Sequence, residues 1–384
     1  MKIKRLEYHD HAKGWRLETV EFSNLNLLVG VSGVGKTKIL NAILNLKKIA
    51  HGESLNGVEW KITFTTKDNN EYQWSGEFET KIISEINFIY ESNTDDEPEI
   101  TKESLLLGKD LLVQRVRNKI EFQGKKLPKL SAFESVIELF KNEDIIEPVW
   151  NGFRNINFSD ENVVSQKQIY HVPFSILLSK YHTEQEIIES GLRAQVKLAL
   201  VYRNAPKLFN EIKDKFMQVF PTVEDIKIEP FNEQFSQDIP NTFQEFPFVH
   251  IKEKGVDPWI DQGEISSGMY RTLISISEIY LSPNGSLIIV DEFENSLGIN
   301  CIDAVTEDLK DLVVGTRDLQ FILTSHHPYI INNIPMDYWK VVSRKGGVVN
   351  VKSAKELNLG KSKHQAYLQL INKLEIYNEE AEVV

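Results

Sequence analysis

A glycine-rich octapeptide near the N-terminus has residue types and a spacing that suit phosphate binding. Residues 30–37 read Gly-Val-Ser-Gly-Val-Gly-Lys-Thr and fit the pattern G-x-x-x-x-G-K-[ST]. In such a loop the glycines let backbone N–H groups face the α- and β-phosphates, the lysine reaches the β- and γ-phosphates, and the last hydroxyl ligates Mg²⁺. The pattern therefore predicts a nucleoside triphosphate site. Its predicted contacts are Gly30, Ser32, Gly33, Gly35, Lys36 and Thr37, with Thr37 also a metal ligand.

A segment far along the chain supplies the acidic residues that nucleotide hydrolysis requires. Residues 286–290 read Ser-Leu-Ile-Ile-Val, which is typical of a fully buried parallel strand, and Asp291-Glu292 follow directly. Asp291 would hold the Mg²⁺ shell, and Glu292 would polarise the water that attacks the γ-phosphate. The alternative is a strand that leads into a solvated acidic turn, since Glu294 follows. The phosphate loop upstream favours the catalytic interpretation.

A turn of small residues lies just before the acidic strand. Residues 265–271 open a helical pattern, and the Ser266 and Ser267 hydroxyls, the Gly268 N–H and the helix N-terminus could together bind an anion. The alternative is an ordinary serine N-cap. The spacing before the Asp-Glu strand favours the anion site.

A further core strand, residues 321–325, ends at His326 and His327 and is followed by Pro328. Taken in order, the four motifs resemble those of ATP-binding-cassette ATPases. In that family the signature turn of one subunit caps the γ-phosphate bound in the other, and a histidine after this strand senses that phosphate. Counting back two from Pro328, as in the Thr-His-Ser-Pro form of this group, His326 is the expected switch histidine and His327 the alternative. The resemblance implies catalytic roles for Glu292 and His326, with ATP and Mg²⁺ as ligands and at least a dimer. It also implies that Ser266, Ser267 and Gly268 contact nucleotide.

Within this superfamily the chain resembles the cytosolic OLD, SMC and RecF-type ATPases more than the transporter cassettes. The likeness rests on the Ser-Ser-Gly-Met signature, on a D-loop position at 294–298 and on an extended tail, and it covers residues 1–90 and 225–350. The chain departs from the family after a predicted strand at 85–90. Where the family places a glutamine that meets Mg²⁺, this chain has Glu91-Ser92-Asn93, and which of these has that role is left open.

The elements around these motifs predict an α/β fold, an ABC-ATPase-like P-loop core with a mixed, mainly parallel sheet. A strand at 24–29 and a helix at 36–49 flank the phosphate loop. Alternating residues at 58–66 and 71–79 predict a hairpin in an antiparallel β subdomain.

Helical spacing dominates the middle of the chain. Apolar residues recur at three- and four-residue intervals in 103–120, 131–147 and 183–219, which predicts an inserted, compact helical lid. Strands at 225–228 and 246–251 are then expected to return the chain to the core.

The tail is predicted to be a hairpin, 338–342 with 348–351, followed by a helix near 362–377. Tyr367, Leu368, Ile371 and Leu374 would share one helix face, which covers its own domain or docks a partner. The predicted domains are an N-terminal ATPase lobe at 1–94, a helical insertion at 95–224, a C-terminal ATPase lobe at 225–352 and a helical tail at 353–384.

The composition is that of ordinary globular material. Hydrophobic residues make up 41% and charged residues 26% of the 384 positions, and Cys301 is the only cysteine, which fits a reducing compartment. No stretch approaches the length of a bilayer span, and the charged residues 1–5 lead into no apolar secretory segment. We therefore expect a cytoplasmic protein that does not contact a membrane.

Charge argues against nucleic acid as a strong partner. The net charge of −12 would repel a phosphate backbone over much of the surface. Residues 109–129 are an exception, and their basic side chains could follow DNA, grip an acidic partner, or form a solvated face balanced by nearby acids. These residues are Lys109, Arg115, Arg117, Lys119, Lys125, Lys126 and Lys129, against Asp110 and Glu121.

The sequence contains no second acidic or histidine cluster of the kind that nucleases use. Full-length OLD nucleases carry a Toprim domain after the ATPase, for which this chain has no room, so an effector is expected to be another polypeptide. The chain thus resembles the stand-alone ATPase subunits of bacterial anti-phage systems of the Septu and PARIS types, where a separately encoded nuclease or toxin acts. Two alternatives remain open: a RecF-like DNA-repair ATPase, and a non-hydrolysing scaffold in which nucleotide only holds the oligomer together.

Overall fold

The computed structural model describes residues 1–81, 97–159, 172–230, 247–296, 318–360 and 365–372. The chain divides into two compact units. The first unit comprises Met1–Phe158, Asn284–Asp291 and Leu312–Val384, and the second comprises Ser159–Pro283 and Glu292–Asp311. None of the described helices is long and apolar enough to cross a bilayer.

The strands, in chain order, are β1 Lys2–Asp10, β2 Trp15–Glu21, β3 Leu25–Val29, β4 Val58–Thr65, β5 Glu71–Phe78, β6 Ile100–Leu107, β7 Asp110–Val116, β8 Lys119–Phe122, β9 Lys125–Lys126, β10 Ile156–Ser159, β11 Val223–Pro230, β12 Pro247–Glu253, β13 Ile260–Asp261, β14 Leu287–Val290, β15 Gln320–Ser325, β16 Trp339–Lys345 and β17 Val348–Ser353. The helices are α1 Lys36–Ala50, α2 Val136–Leu139, α3 Glu147–Arg154, α4 Phe174–Lys180, α5 Glu184–Glu189, α6 Ala194–Asn204, α7 Pro206–Val219, α8 Ser267–Leu281, α9 Phe293–Ser296, α10 Pro328–Asn333 and α11, residues 365–372.

A 14-stranded mixed sheet organises the first unit, in the order β10-β14-β15-β3-β16-β17-β2-β1-β4-β5-β6-β7-β8-β9. The pairs β14–β15, β15–β3, β3–β16 and β17–β2 are parallel, and the strands from β2 through β1 to β9 pair antiparallel. The predicted α/β architecture with a mixed sheet is confirmed. Among the described strands, parallel pairing involves those that carry the nucleotide motifs and their neighbours, and antiparallel pairs outnumber parallel ones, so the sheet is mixed but not mainly parallel as expected.

The predicted elements around the phosphate loop are confirmed. β3 is buried at every position, and α1 buries Ile39, Leu40, Ile43 and Leu46 along one face, as its three- and four-residue spacing requires. The hairpin of β4 and β5 is antiparallel, with Trp60 opposite Gly76. Its buried face packs aromatic rings, with the Trp60 and Trp74 ring centroids 5.0 Å apart.

The prediction of helix over 103–120 is wrong, because this segment forms the strands β6, β7 and β8 and extends the antiparallel sheet. The apolar residues of this segment, among them Leu105, Leu106 and Leu107, fit helical intervals. The chain nevertheless reverses at Gly108 and at Arg117, whose φ values are +58° and +50°. A helix does not continue through left-handed residues. The inserted helices therefore begin only at Val136, and 131–147 holds just the four-residue α2 and the start of α3.

The second unit contains the helices predicted within 183–219, now resolved as α5, α6 and α7. α6 and α7 pack against α8, and the buried Lys197 Nζ donates to the carbonyls of Ile188 and Leu281 at 2.6 and 3.0 Å. The strands predicted at 225–228 and 246–251 are present as β11 and β12. They pair in a separate 3-stranded sheet with β13 rather than returning to the core, which is a correction.

The tail hairpin is confirmed as β16 and β17. Residues 365–372 are helical, but the predicted face is wrong in part, because Ala366 and Leu370 are the buried pair and Leu368 is 49% exposed. The predicted strand at 85–90, the segment Glu91-Ser92-Asn93 and the end of the D-loop at 297–298 lie outside the described residues.

Candidate nucleotide-binding site

The phosphate loop joins β3 to α1 and can be built only with glycine at certain positions. A Cβ on Gly30 would lie 2.7 Å from the Val342 carbonyl oxygen and 2.9 Å from the Val34 Cγ2 atom. Gly33 and Gly35 have φ values of +82° and +102°, which other residues rarely adopt. The glycines thus keep the loop close to the tail hairpin and leave its inner face as bare backbone.

Lys36 begins α1, and its ammonium group lies over the loop itself. Its Nζ donates to the Gly30 carbonyl at 2.8 Å and to the Val31 carbonyl at 3.1 Å. Phosphate oxygens are stronger acceptors than neutral carbonyls for such a cation, so nucleotide would exchange these bonds for charge-assisted ones. Ser32 and Thr37 are exposed at the same loop, and their hydroxyls are open to a ligand.

Further positive charge lies near the phosphate loop. The Lys38 Nζ is 5.0 Å from the centroid of the Trp15 ring. Burial, and then the neighbouring Arg344, lower the pKa of Lys38. A cluster of cations at a glycine loop attracts polyphosphates.

The acidic strand end lies at the same sheet edge as the phosphate loop. β15 pairs in parallel with both β14 and β3, with Val290 opposite Leu323 and Val29 opposite Ser325. Parallel strands end at one edge, so Asp291 and the phosphate loop both follow the carboxyl ends of this group of strands. The first unit therefore brings together the loop, Asp291 and the residues that follow β15.

Thr324 is a site residue that the sequence reasoning missed. It is fully buried on β15, and its hydroxyl donates a hydrogen bond to Asp291 Oδ1 at 2.5 Å. This bond orients the Asp291 carboxylate at the strand end. The sequence did contain one signal for this role. Thr324 is a polar residue that follows the apolar run Phe-Ile-Leu, in the strand directly before the predicted switch histidine.

Glu292 has an unusual backbone for its residue type. Its φ is +47°, in the left-handed region, and its side chain is exposed. Non-glycine residues held there carry strain that often marks functional sites. The residue lies at the start of the second unit's last described segment, directly before α9.

The two histidines after β15 differ in their surroundings. The His327 Nδ1 accepts a hydrogen bond from the Tyr329 N–H at 3.3 Å and so caps α10, and the His327 N–H donates to Ser325 Oγ at 3.0 Å. His326 is exposed. The His327 ring is therefore engaged by its own helix.

The signature residues lie at the N-terminus of α8 in the second unit. Ser266 is the N-cap, and its Oγ accepts a hydrogen bond from the Met269 N–H at 3.3 Å. Ser267 is exposed and Gly268 is half-buried. The ordinary capping role therefore applies to Ser266, while the Ser267 hydroxyl stands at the exposed first turn, where helix N–H groups favour anions.

The oxygen donors suit magnesium. A threonine hydroxyl at Thr37 and a carboxylate at Asp291, the latter fixed by Thr324, are the hard ligands that Mg²⁺ prefers over nitrogen or sulfur. These residues of the first unit therefore fit a bound Mg²⁺ ion.

The basic segment at 109–129 is not a uniform charged surface. Arg115 is buried, 3.8 Å from the Glu103 carboxylate, and its guanidinium donates to the backbone carbonyls of Arg117, Ser131 and Glu134. It is a core residue and cannot contact DNA. The other basic side chains of the segment, Lys109, Arg117, Lys119, Lys125, Lys126 and Lys129, are exposed.

Parallel strands that carry a phosphate loop and an acidic strand end, within a mixed sheet, are the core architecture of an ABC-type P-loop ATPase. The chain belongs to the family described as "AAA domain, putative AbiEii toxin, Type IV TA system", whose model matches residues 25–332. No curated protein sequence matches the chain significantly.

Among solved structures, SMC head domains are similar to this chain. One is an SMC head bound to the C-winged helix domain of ScpA, with 16% identity, a TM-score of 0.48, and coverage of 92% of this chain and 97% of that one. A second is the SMC head from Thermotoga maritima, with 13% identity, a TM-score of 0.43, and coverage of 92% and 99%. A third, from Pyrococcus furiosus, is a head with an extended coiled coil bound to the C-terminal domain of ScpA, with 14% identity, a TM-score of 0.47, and coverage of 93% and 98%.

Proposed function

We propose that this chain binds ATP with Mg²⁺ at the phosphate loop and hydrolyses it. The observation that carries the proposal is the meeting of the loop, the Thr324-held Asp291 and the His326 segment at one edge of the parallel strands. Mg²⁺, held by Thr37 and Asp291, would neutralise charge on the phosphates. Gly30, Ser32, Gly33 and Gly35 would supply the N–H cradle, with Lys36 as its cation.

Hydrolysis would depend on a second set of residues. Glu292 accepts a proton from the attacking water or orients that water, and His326 donates a hydrogen bond to the γ-phosphate. Ser266, Ser267 and Gly268 of a second copy bind the same phosphate through the exposed start of α8, as the ABC resemblance implies. The active form would then be at least a dimer, in which two copies share each site.

The cellular role that we propose is control of a separately encoded effector, a nuclease or toxin, in anti-phage defence in the cytoplasm. The family description, which mentions a toxin of a type IV toxin–antitoxin system, supports a connection with toxicity. The ATP-bound assembly would hold or release the effector. Expression of this chain alone is expected to leave growth unaffected, and growth arrest by the chain alone would instead make it the toxin itself.

A nucleotide titration tests the core of the proposal. Lys36→Ala removes the loop's flexible cation, so we expect ATP·Mg²⁺ affinity to fall at least about tenfold, since charge-assisted hydrogen bonds contribute roughly 1.5–3 kcal/mol each. Lys48→Ala is the matched control, because Lys48 lies on the same helix with an exposed ammonium 3.6 Å from Glu53. Unchanged affinity in a folded Lys36→Ala protein would contradict the assignment.

A further inference from the structure

Three potential metal ligands meet at one end of the β1–β4 pair, in a part of the first unit that the proposed function does not use. His9 lies opposite Glu59 in the antiparallel register, and His11 follows two residues later. The ligand atoms of His9, His11 and Glu59 all lie within 4.8 Å of one another. Two imidazoles and one carboxylate form a donor set that first-row transition metals bind well.

The donor separations suit a single ion. His11 Nε2 lies 2.9 Å from Glu59 Oε2, and His9 Nδ1 lies 3.9 Å from the same oxygen. Ligand atoms on a tetrahedral Zn²⁺ are about 3.3 Å apart, given bonds of about 2.0–2.1 Å, so small side-chain rotations would place all three at bonding distance. The His9 and His11 ring centroids are 3.6 Å apart with a 36° tilt, so the two rings lie in direct contact.

The backbone beneath the three side chains is held by hydrogen bonds. The His11 N–H donates to the Gly57 carbonyl at 2.8 Å, directly before β4, so the turn that carries His11 is tied to the strand that carries Glu59. A scaffold of paired strands keeps ligands in place at little entropic cost.

Neighbouring charges are already engaged elsewhere. Asp10 is buried, and its carboxylate accepts from the Lys13 N–H at 2.8 Å and lies 3.4 Å from Lys13 Nζ. Arg16, the β2 partner of His9, pairs with Glu18 at 3.0 Å.

We propose that His9, His11 and Glu59 bind one divalent transition-metal ion, with Zn²⁺ as the best fit. The three side chains are 34%, 35% and 52% exposed, so water or a further ligand completes the coordination. His9 and Glu59 also line an open cleft on this face of the sheet together with Arg16 and Lys61, which leaves the open positions accessible. Mg²⁺ and Ca²⁺ are disfavoured, because they prefer oxygen ligands.

The test is Zn²⁺ titration of the untagged full chain by calorimetry, with excess Mg²⁺ present to occupy oxygen sites. We expect one Zn²⁺ per chain and a rise in the thermal midpoint, since an ion that binds only the folded state stabilises it. His9→Gln, His11→Gln and Glu59→Gln should each weaken binding by about tenfold or more, because even outer-shell substitutions at metal sites cost about 10–100-fold.

His182→Gln is the control, because this exposed histidine lies in the second unit and should leave Zn²⁺ affinity unchanged. Bound Co²⁺ gives a visible spectrum that reports nitrogen ligation, and this spectrum should disappear in His9→Gln. The proposal is overturned if the parent binds Zn²⁺ with a Kd above about 100 µM, a free energy of only about −5.5 kcal/mol. The proposal is also overturned if His9→Gln and His11→Gln both bind Zn²⁺ as tightly as the parent does. None of these results depends on ATP binding.

Discussion

The two neighbouring acidic residues at the end of β14, Asp291 and Glu292, are held in different ways. Thr324 is buried and donates to Asp291, so the position of this carboxylate is set from inside the sheet. The next residue, Glu292, is exposed and has a φ of +47°. The Asp291 carboxylate is therefore fixed by a hydrogen bond while its exposed neighbour has a strained backbone, and the roles proposed for the two, metal ligand and catalytic base, differ as well.

Glu292→Gln is expected to keep ATP affinity and to slow hydrolysis about 100-fold or more, the usual size of a lost general base. Glutamine has nearly the same shape, so the backbone φ of +47° at this position is no harder to form than before, and folding should not change. Phosphate release by the purified chain measures the rate. Glu264→Gln, at another exposed acid of the second unit, is the control.

Hydrolysis by Glu292→Gln at the parent rate would show that Glu292 is not the catalytic carboxylate. If the parent itself has no turnover, even with its effector, the non-hydrolysing scaffold becomes the better account of the chain.

At the scale of elements, the antiparallel strands are joined by a buried polar cluster as well as by apolar packing. The Glu103 carboxylate on β6 accepts from Trp74 Nε1 at 2.9 Å and from the Val136 N–H at 3.0 Å, which links β5, β6 and α2. Burial raises the pKa of Glu103 to about 7, against the opposing effects of these donors and of Arg115. Such a network stabilises the subdomain only while every partner is present.

Gly76 is required where β5 crosses the Trp60 ring. A Cβ at this position would lie 2.4 and 2.5 Å from the Trp60 Cζ2 and Cη2 atoms, and Trp60 is buried in a closely packed aromatic core. Gly76→Ala should therefore lower the free energy of unfolding by about 1–3 kcal/mol, the usual cost of overpacking. Urea unfolding measures this change.

Gly263→Ala is the matched control for Gly76→Ala, because no atom lies within 4 Å of its added Cβ. It should unfold like the parent. Equal stability of the two variants would mean that the Trp60 ring moves aside freely and that the β4–β5 pairing is looser than described.

At the scale of the whole molecule, each copy carries both halves of the proposed composite site, the phosphate loop in the first unit and the signature turn in the second. If two copies share the sites, a Lys36→Ala copy and a Ser267→Arg copy can form a mixed dimer. Both substitutions then lie in the same one of its two composite sites. The other site is then intact, and about half of the parent ATPase activity should return.

Each variant alone should be inactive, which serves as the control for the mixing experiment. A mixed dimer verified by mass that recovers no activity would contradict sharing of sites, as would a monomer that is fully active at high dilution.

The charge of the whole molecule predicts weak DNA binding. The net charge is −12 and Arg115 is buried, so the exposed basic side chains of 109–129 lie on a molecule that repels phosphates overall. We expect no tight, steeply salt-dependent binding of duplex DNA, in which each neutralised phosphate adds about 0.9 to the slope of log affinity against log salt. Filter binding across a salt series measures this slope.

If tight binding is found, substitution of the exposed Arg117, Lys119, Lys125 and Lys126 by Glu identifies the surface without disturbing the core. Loss of binding in that variant would favour the DNA-repair alternative. Arg115→Glu would be uninformative, because it removes a buried ion-pair partner.

The sequence by itself determined the features that depend on neighbours in the chain. The phosphate loop, the helix α1 that follows it, and the buried strands before Asp291 and His326 were all predictable, because glycine spacing and apolar runs act locally. The N-cap at Ser266 was only the less favoured alternative.

The tertiary structure alone decided which distant residues meet. Apolar spacing over 103–120 could not distinguish a helix from paired strands, since the outcome depends on β5 as a partner. Burial of Arg115 depends on Glu103 and on the carbonyls of Ser131 and Glu134, and the hydrogen bond from Thr324 to Asp291 joins two strands. These contacts arise only when the sheet assembles, so a local pattern could at most mark Thr324 as a polar residue in an apolar strand and could not identify its partner.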